Sequence, residues 1–122
     1  MARKVKKSRI VLIGAGGSLV EELLTALRAE SALDKYKIDS ATISSVLEMA
    51  PDEREKCVIV YIRVPYFLRV ERLLRAGIQN CEDMALKDTT LYDDAEQVAD
   101  LTVRNFVVTS SVGEILEYFR KR

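Results

Sequence analysis

Gly14-Ala15-Gly16-Gly17-Ser18 follows the apolar run of residues 10–13 and precedes an amphipathic stretch that begins at Leu19. A glycine-rich turn between a strand and a helix aims backbone N–H groups at the start of the helix, where oxyanions such as phosphate bind. The chemistry on offer is binding of phosphate by uncharged amides, here those of residues 16–19. A nucleotide-hydrolysing loop of the form G-x-x-x-x-G-K-[ST] adds a lysine just before its hydroxyl residue, whereas here Gly17 stands before Ser18. The turn is a phosphate cradle without the ammonium group that makes such a cradle catalytic. Gly14, Gly16, Gly17 and Ser18 are therefore candidate ligand-binding residues. Each also has a plainer role: a tight turn for the glycines, and helix capping for Ser18, which forms an S-x-x-E box with Glu21.

Composition narrows the choice of function. The chain has 122 residues, of which 48% are apolar, which fits a single α/β domain over residues 1–122 with one core. There is no histidine, so a Ser–His or Cys–His catalytic pair and a His-ligated zinc site are excluded. Cys57 and Cys81 do not make a disulfide framework in a chain with a proper core, and Cys57 reads as a small buried hydrophobe. No apolar run approaches the roughly 18–20 residues of a membrane span, and no leader-like apolar segment follows the first basic residues. A cytoplasmic protein with no membrane partner is expected. Lys plus Arg equals Asp plus Glu, which gives no general pull towards nucleic acid. The charges are nevertheless uneven: Arg3, Lys4, Lys6, Lys7 and Arg9 crowd the start, and residues 1–8 read as a flexible basic arm. Glu82, Asp83, Asp88, Asp93, Asp94, Glu96 and Asp100 make a later stretch acidic. Its spacing matches no Ca²⁺ loop, so an exposed helical face is expected there.

The elements that would position the turn follow from periodicity. Residues 9–13 and the β-branched run 58–62 read as buried strands of a parallel sheet, with a short strand at 36–39 ending in Asp39 and a last one at 101–108. Leu19, Val20, Leu23, Leu24 and Leu27 share one helical face. Ser40 or Thr42 caps a helix through Ile43, Val46, Leu47 and Ala50 that Pro51 stops, leaving 52–56 as a charged loop. Pro65 opens a helix whose Phe67, Val70, Leu73 and Leu74 face the core and whose C′ residue is Gly77. A further helical stretch spans 82–98, broken near Thr89-Thr90. Ser111 and Glu114 make a second capping box before a helix carrying Val112, Ile115, Leu116 and Phe119. The alternation predicts an α/β three-layer sandwich with a mainly parallel sheet of about four strands. Any ligand then lies at the C-terminal strand ends, by residues 14–18, Asp39, residues 63–65 and the residues after Val108.

Taken in order, these pieces resemble the guanylate kinase branch of the P-loop nucleoside-monophosphate kinases. "RIVLIGAGGSLVEELL" is similar to the family's opening strand, loop and helix in shortened form; "KYKIDSATISSVLE" resembles its Walker B strand with the helix that follows. "CVIVYIRVPYFLRVERLLRAG" looks like its strand, proline and arginine-bearing helix, and "ADLTVRN" like its last strand. The resemblance covers about two thirds of the chain. It implies that Gly14, Gly16, Gly17 and Ser18 are a remnant phosphate loop, that Asp39 supports Mg²⁺ and that Asn105 lies near a purine base, so that the cofactor is a purine nucleotide with Mg²⁺. Plainer roles exist for these too: Asp39 as a cap for the next helix, Asn105 as an edge-strand residue.

The chain departs from that pattern where phosphoryl transfer is catalysed. The loop lysine is missing, and between Ala76 and Val103 there is no arginine and Lys87 is the only cation. The first helix also runs almost directly into the Asp39 strand, leaving no room for an acceptor-binding segment. Losing one such charge commonly costs a factor of about 10² to 10⁵ in rate. An efficient kinase is not expected. The expectation is a pseudokinase-like domain, catalytically weak or inactive, that keeps a phosphate or nucleotide site or serves as a protein-interaction module with a protein partner chosen by charge. The alternative is a Rossmann-type dinucleotide-binding domain, from Gly14-x-Gly16 with Asp39, although the third glycine position holds Leu19. In the plainest reading the glycine turn does nothing but turn.

Overall fold

Two unbroken apolar runs form the middle of the sheet. The computed structural model describes residues 6–121. In β1 (Arg9–Gly14) and β3 (Cys57–Arg63) every residue of 10–13 and of 57–60 is buried, as strands covered on both faces must be. They pair in parallel from Arg9 opposite Cys57 to Gly14 opposite Ile62. β2 (Lys37–Ser40) joins the free side of β1, and β4 (Leu101–Arg104) joins the free side of β3, both again parallel. The order is β2-β1-β3-β4, an α/β fold with a four-stranded parallel sheet, as the sequence led us to expect.

Alternation along the strands divides the core in two. Ile10, Leu12, Val58, Val60 and Ile62 meet α1 (Val20–Arg28) and α7 (Val108–Arg120) through Leu23, Leu24, Leu27 and Ile115. Val11, Ile13 and Ile59 face the opposite layer, where α2 (Ile43–Leu47) and α6 (Ala95–Val98) contribute Ile43, Val46 and Ala95. The connection leaving β1 runs towards β2, while that leaving β3 runs the other way to β4. Between the C-terminal ends of β1 and β3 the chain therefore parts and a crevice opens, the place where parallel α/β sheets bind ligands.

Several local expectations change. Residues 52–56 are not a loop: Pro51 starts the helix α3 (Pro51–Glu55) from its first position rather than ending a long α2. Thr42 caps α2 as expected, accepting from Ser45 N–H at 3.1 Å. Neither serine capping box forms. Leu19, at φ 61°, is the N-cap residue of α1, and Glu21 accepts instead from the Ser40 hydroxyl. Ser111 lies inside α7, which begins sooner than expected because β4 stops at Arg104.

The helix after Pro65 is α4 (Tyr66–Arg75), and it ends in a Schellman motif. Gly77, at φ 78°, donates to Leu74 O, and Ile78 N–H donates to Leu73 O. Its inward face differs from the expected one: Phe67 and Leu74 are 73% and 62% exposed, while Arg69 is buried. α5 (Cys81–Leu91) packs on α4, and the break before α6 falls at residues 92–94 rather than at Thr89-Thr90. Of the expected basic arm, residues 1–5 lie outside the described residues. Ser8 is tied down between Lys56 and Lys37 by backbone hydrogen bonds. No helix among the described residues is long and apolar enough to cross a membrane.

Candidate functional site

The turn after β1 contains glycines of two kinds. A Cβ on Gly17, whose φ is +84°, would stand 2.6 Å from the carbonyl oxygen of Arg69, so the backbone of α4 rests directly on the turn. A Cβ on Gly14 would meet Val20 Cγ2 at 2.7 Å. Those two positions need glycine for packing and conformation. Gly16 has room: the nearest atom to its Cβ would be Asp88 Oδ2, at 3.4 Å.

The turn's carbonyls are pulled back into the protein. Asn105 Nδ2 donates to Ser18 O at 2.8 Å, and Ser111 Oγ donates to Asn105 Oδ1 at 2.8 Å. Arg72 Nη1 donates to Gly17 O at 3.1 Å, while its Nη2 reaches Asn105 O at 2.8 Å and Phe106 O at 3.2 Å. Burial pulls the Arg72 guanidinium below its ordinary pKa. With these carbonyls held from behind, the Gly16 N–H points towards α5 and donates to Asp88 Oδ2 at 3.2 Å. The amide that an oxyanion would use thus holds a carboxylate from the protein itself.

Beside the turn, in the β1/β3 crevice, is a cleft of about 240 Å³ whose wall includes Ala15, Ser18, Tyr61, Arg69, Asp88 and Glu96. Tyr61 and Tyr92 stack at 6.0 Å with planes 8° apart, and burial raises the pKa of both phenols. Arg69 is 4% exposed and donates to Val64 O, Ala85 O and, at 2.6 Å, Thr89 Oγ1, all uncharged acceptors. Ser18 is 1% exposed, and its hydroxyl has no hydrogen-bond partner among the described residues. Arg63 in the same wall is paired with Glu96 at 2.6 Å.

The candidate residues are only partly brought together. Gly16 and Ser18 are at the crevice, with Gly14 and Gly17 shaping the turn. Asn105 adjoins it too, but is fully buried, and its amide binds Ser18 and Ser111 from behind the turn. Asp39 lies on the edge strand β2, lines a different hollow with Arg28 and Tyr36, and is ion-paired to Arg28 at 3.1 Å and Arg9 at 3.7 Å. No cluster of three His, Cys, Asp or Glu side chains able to hold a metal exists among the described residues. The residues not picked out from the sequence are Asp88, Arg69 and Arg72. Asp88 read as one more charge on a solvated helix. Arg69 and Arg72 did leave a trace, a basic pair at i, i+3 amid apolar positions.

No family model matches the chain, and no curated protein matches it in sequence. Among solved structures it is similar to a shikimate kinase from Acinetobacter baumannii in complex with shikimate, with a TM-score of 0.71 and 14% identity over 94% of each chain. A shikimate kinase from Bacteroides thetaiotaomicron gives a TM-score of 0.67 and 13% identity over 93% of this chain and 98% of that one. An uncharacterized protein from Eubacterium ventriosum gives 0.64 and 11% over 96% and 100%. Identities this low establish a shared architecture: the chain has an α/β fold resembling that of the P-loop kinases.

Proposed function

We propose that this chain is a kinase-like domain that holds a phosphate-bearing ligand on its glycine turn and does not transfer the phosphoryl group. The observation that carries this reading is the carboxylate on the Gly16 N–H, because an amide that already binds one oxyanion has the orientation to bind another. The order of the sequence motifs favours the guanylate kinase branch and a purine nucleotide as the ligand.

Two features argue against catalysis. No lysine follows the glycines, and the guanidiniums nearest the turn are engaged: all three nitrogens of Arg69 and both terminal nitrogens of Arg72 donate to protein oxygens. Charge stabilisation is nearly all that a protein contributes to phosphoryl transfer. Nor do the residues fit a Mg²⁺ ion at Asp39, whose carboxylate would have to leave two arginines. Binding independent of Mg²⁺ is therefore expected. In the classic dinucleotide fold the third strand extends the sheet beyond the second, whereas β3 here lies on the far side of β1, so that alternative is not carried forward.

Thermal unfolding in the presence of inorganic phosphate, ATP, GMP, NAD or shikimate, each with and without Mg²⁺, tests the reading. Stabilisation by phosphate-bearing compounds without a Mg²⁺ requirement is expected, with loss of the response in Gly16→Val and no phosphorylated product. No response to any of them, or one that Gly16→Val leaves intact, contradicts it. A protein-interaction role is the second reading. It is favoured by the exposed apolar side chains Phe67 and Leu74 on α4 and Leu86 and Leu91 on α5.

A further inference from the structure

Three features of the crevice point to one element, α5, provided that the turn is an anion site as read above. The first is the hydrogen bond from Gly16 N–H to Asp88 Oδ2. The second is Arg69, a guanidinium 4% exposed in the cleft wall that donates to the uncharged Val64 O, Ala85 O and Thr89 Oγ1; among the described residues it forms no salt bridge. A buried cation ordinarily has a counter-charge. The third is the Ser18 hydroxyl, buried in the same wall with no partner among the described residues. An anionic oxygen entering the cleft would supply an acceptor for the hydroxyl and a direct charged partner for the guanidinium, whose own hydrogen bonds go to uncharged oxygens although Asp88, Asp93 and Glu96 line the same cleft.

We propose that α5 is a built-in lid, and that Asp88 is its stopper: the carboxylate fills the oxyanion position of the glycine turn, and a phosphate-bearing ligand enters only by displacing it. One N–H cannot serve both anions, and the two negative groups would repel strongly at hydrogen-bond range in a half-buried crevice. The latch on this lid is small. Beyond the packing of buried Cys81 and Ala85, it consists of the Asp88 contact, the Arg69 bonds to Ala85 O and Thr89 Oγ1, and the bond from Tyr66 OH to Glu82 O. The connection from α4 to α5 turns at Gly77 and Asn80, both with positive φ (78° and 57°). The closed state leaves the Ser18 hydroxyl without a partner among the described residues, and an entering phosphate oxygen would supply one.

Isothermal titration with inorganic phosphate on wild type, Asp88→Ala and Asp88→Asn tests the lid. Alanine is a strong helix former at this half-buried position, and asparagine keeps the side chain's shape, so at least one variant retains the fold. The expected result is that Asp88→Ala binds phosphate roughly tenfold or more tightly than wild type, the equivalent of one charge-assisted hydrogen bond no longer in competition. Asp88→Asn, which can still accept from Gly16, should fall between, and adding Gly16→Val to Asp88→Ala should abolish the gain. Equal binding by wild type and Asp88→Ala overturns the lid and leaves the anion site standing. A gain that survives Gly16→Val places the phosphate elsewhere and also overturns the lid. No binding by any of the proteins overturns the anion site itself.

Discussion

At the scale of single residues, the turn is specified by which glycine does what. Gly17 combines a left-handed backbone with a Cβ position 2.6 Å from Arg69 O, whereas a Cβ on Gly16 would make only ordinary contacts, with Asp88 Oδ2 at 3.4 Å and Leu73 Cδ2 at 3.7 Å. Gly17→Ala should therefore destabilise the fold by about 2 kcal/mol or more, adding the left-handed penalty to a clash with backbone. Gly16→Ala should change stability by less than about 0.5 kcal/mol, in line with those ordinary contacts. Urea midpoints of the two variants check this, and equal losses would contradict the division of roles. The glycine spacing was legible in the sequence because it is local. The task of Asn105 was not: it is a buried bracket for Ser18 O, 87 positions away, and nothing in its own neighbourhood marks that distant partner. The same holds for Asp39, whose carboxylate is claimed by Arg28 and Arg9.

At the scale of elements, periodicity succeeded where burial is apolar and failed where it is polar. β1, β3 and the Schellman end of α4 could be read directly, since unbroken β-branched runs and a glycine after a helical pattern have few other meanings. The inward face of α4 was misread because it is built on two arginines, with the apolar Phe67 and Leu74 turned outward. An alternation of apolar and polar residues cannot announce that a guanidinium is buried against carbonyls. Ser18 failed as a cap for a similar reason: the bend that aims Gly16 at α5 puts Leu19 at the helix start. The central bond of α4 is Arg72, which ties Gly17 O to Asn105 O and Phe106 O. Arg72→Met should cost about 2 kcal/mol, the value of bonds from a charged donor to carbonyls that are then left unpaired. It should also loosen the turn, so that any phosphate-dependent rise in melting temperature shrinks. A stability within about 0.5 kcal/mol of wild type would show that the turn does not depend on α4.

At the scale of the whole molecule, the strand order puts the glycine turn at the parting of the chain, and this was foreseeable once four strands alternated with helices. The meeting of α5 with that turn was not, because Asp88 lies 72 positions from Gly16 and its helix looks like a solvated acidic stretch. The molecule combines an architecture resembling that of the P-loop kinases with a turn whose own carboxylate sits on its amide, and with no lysine to follow the glycines. Backbone amide NMR of the ¹⁵N-labelled protein during titration with inorganic pyrophosphate examines this most directly. The account predicts saturable shifts centred on the amide of Gly16, with Gly17 and Leu19 moving too and Ser18 N–H kept on Ala15 O, accompanied by shifts in α5 around Asp88. Saturation with the Gly16 amide unmoved, or with the shifts confined to another face of the sheet, would contradict it.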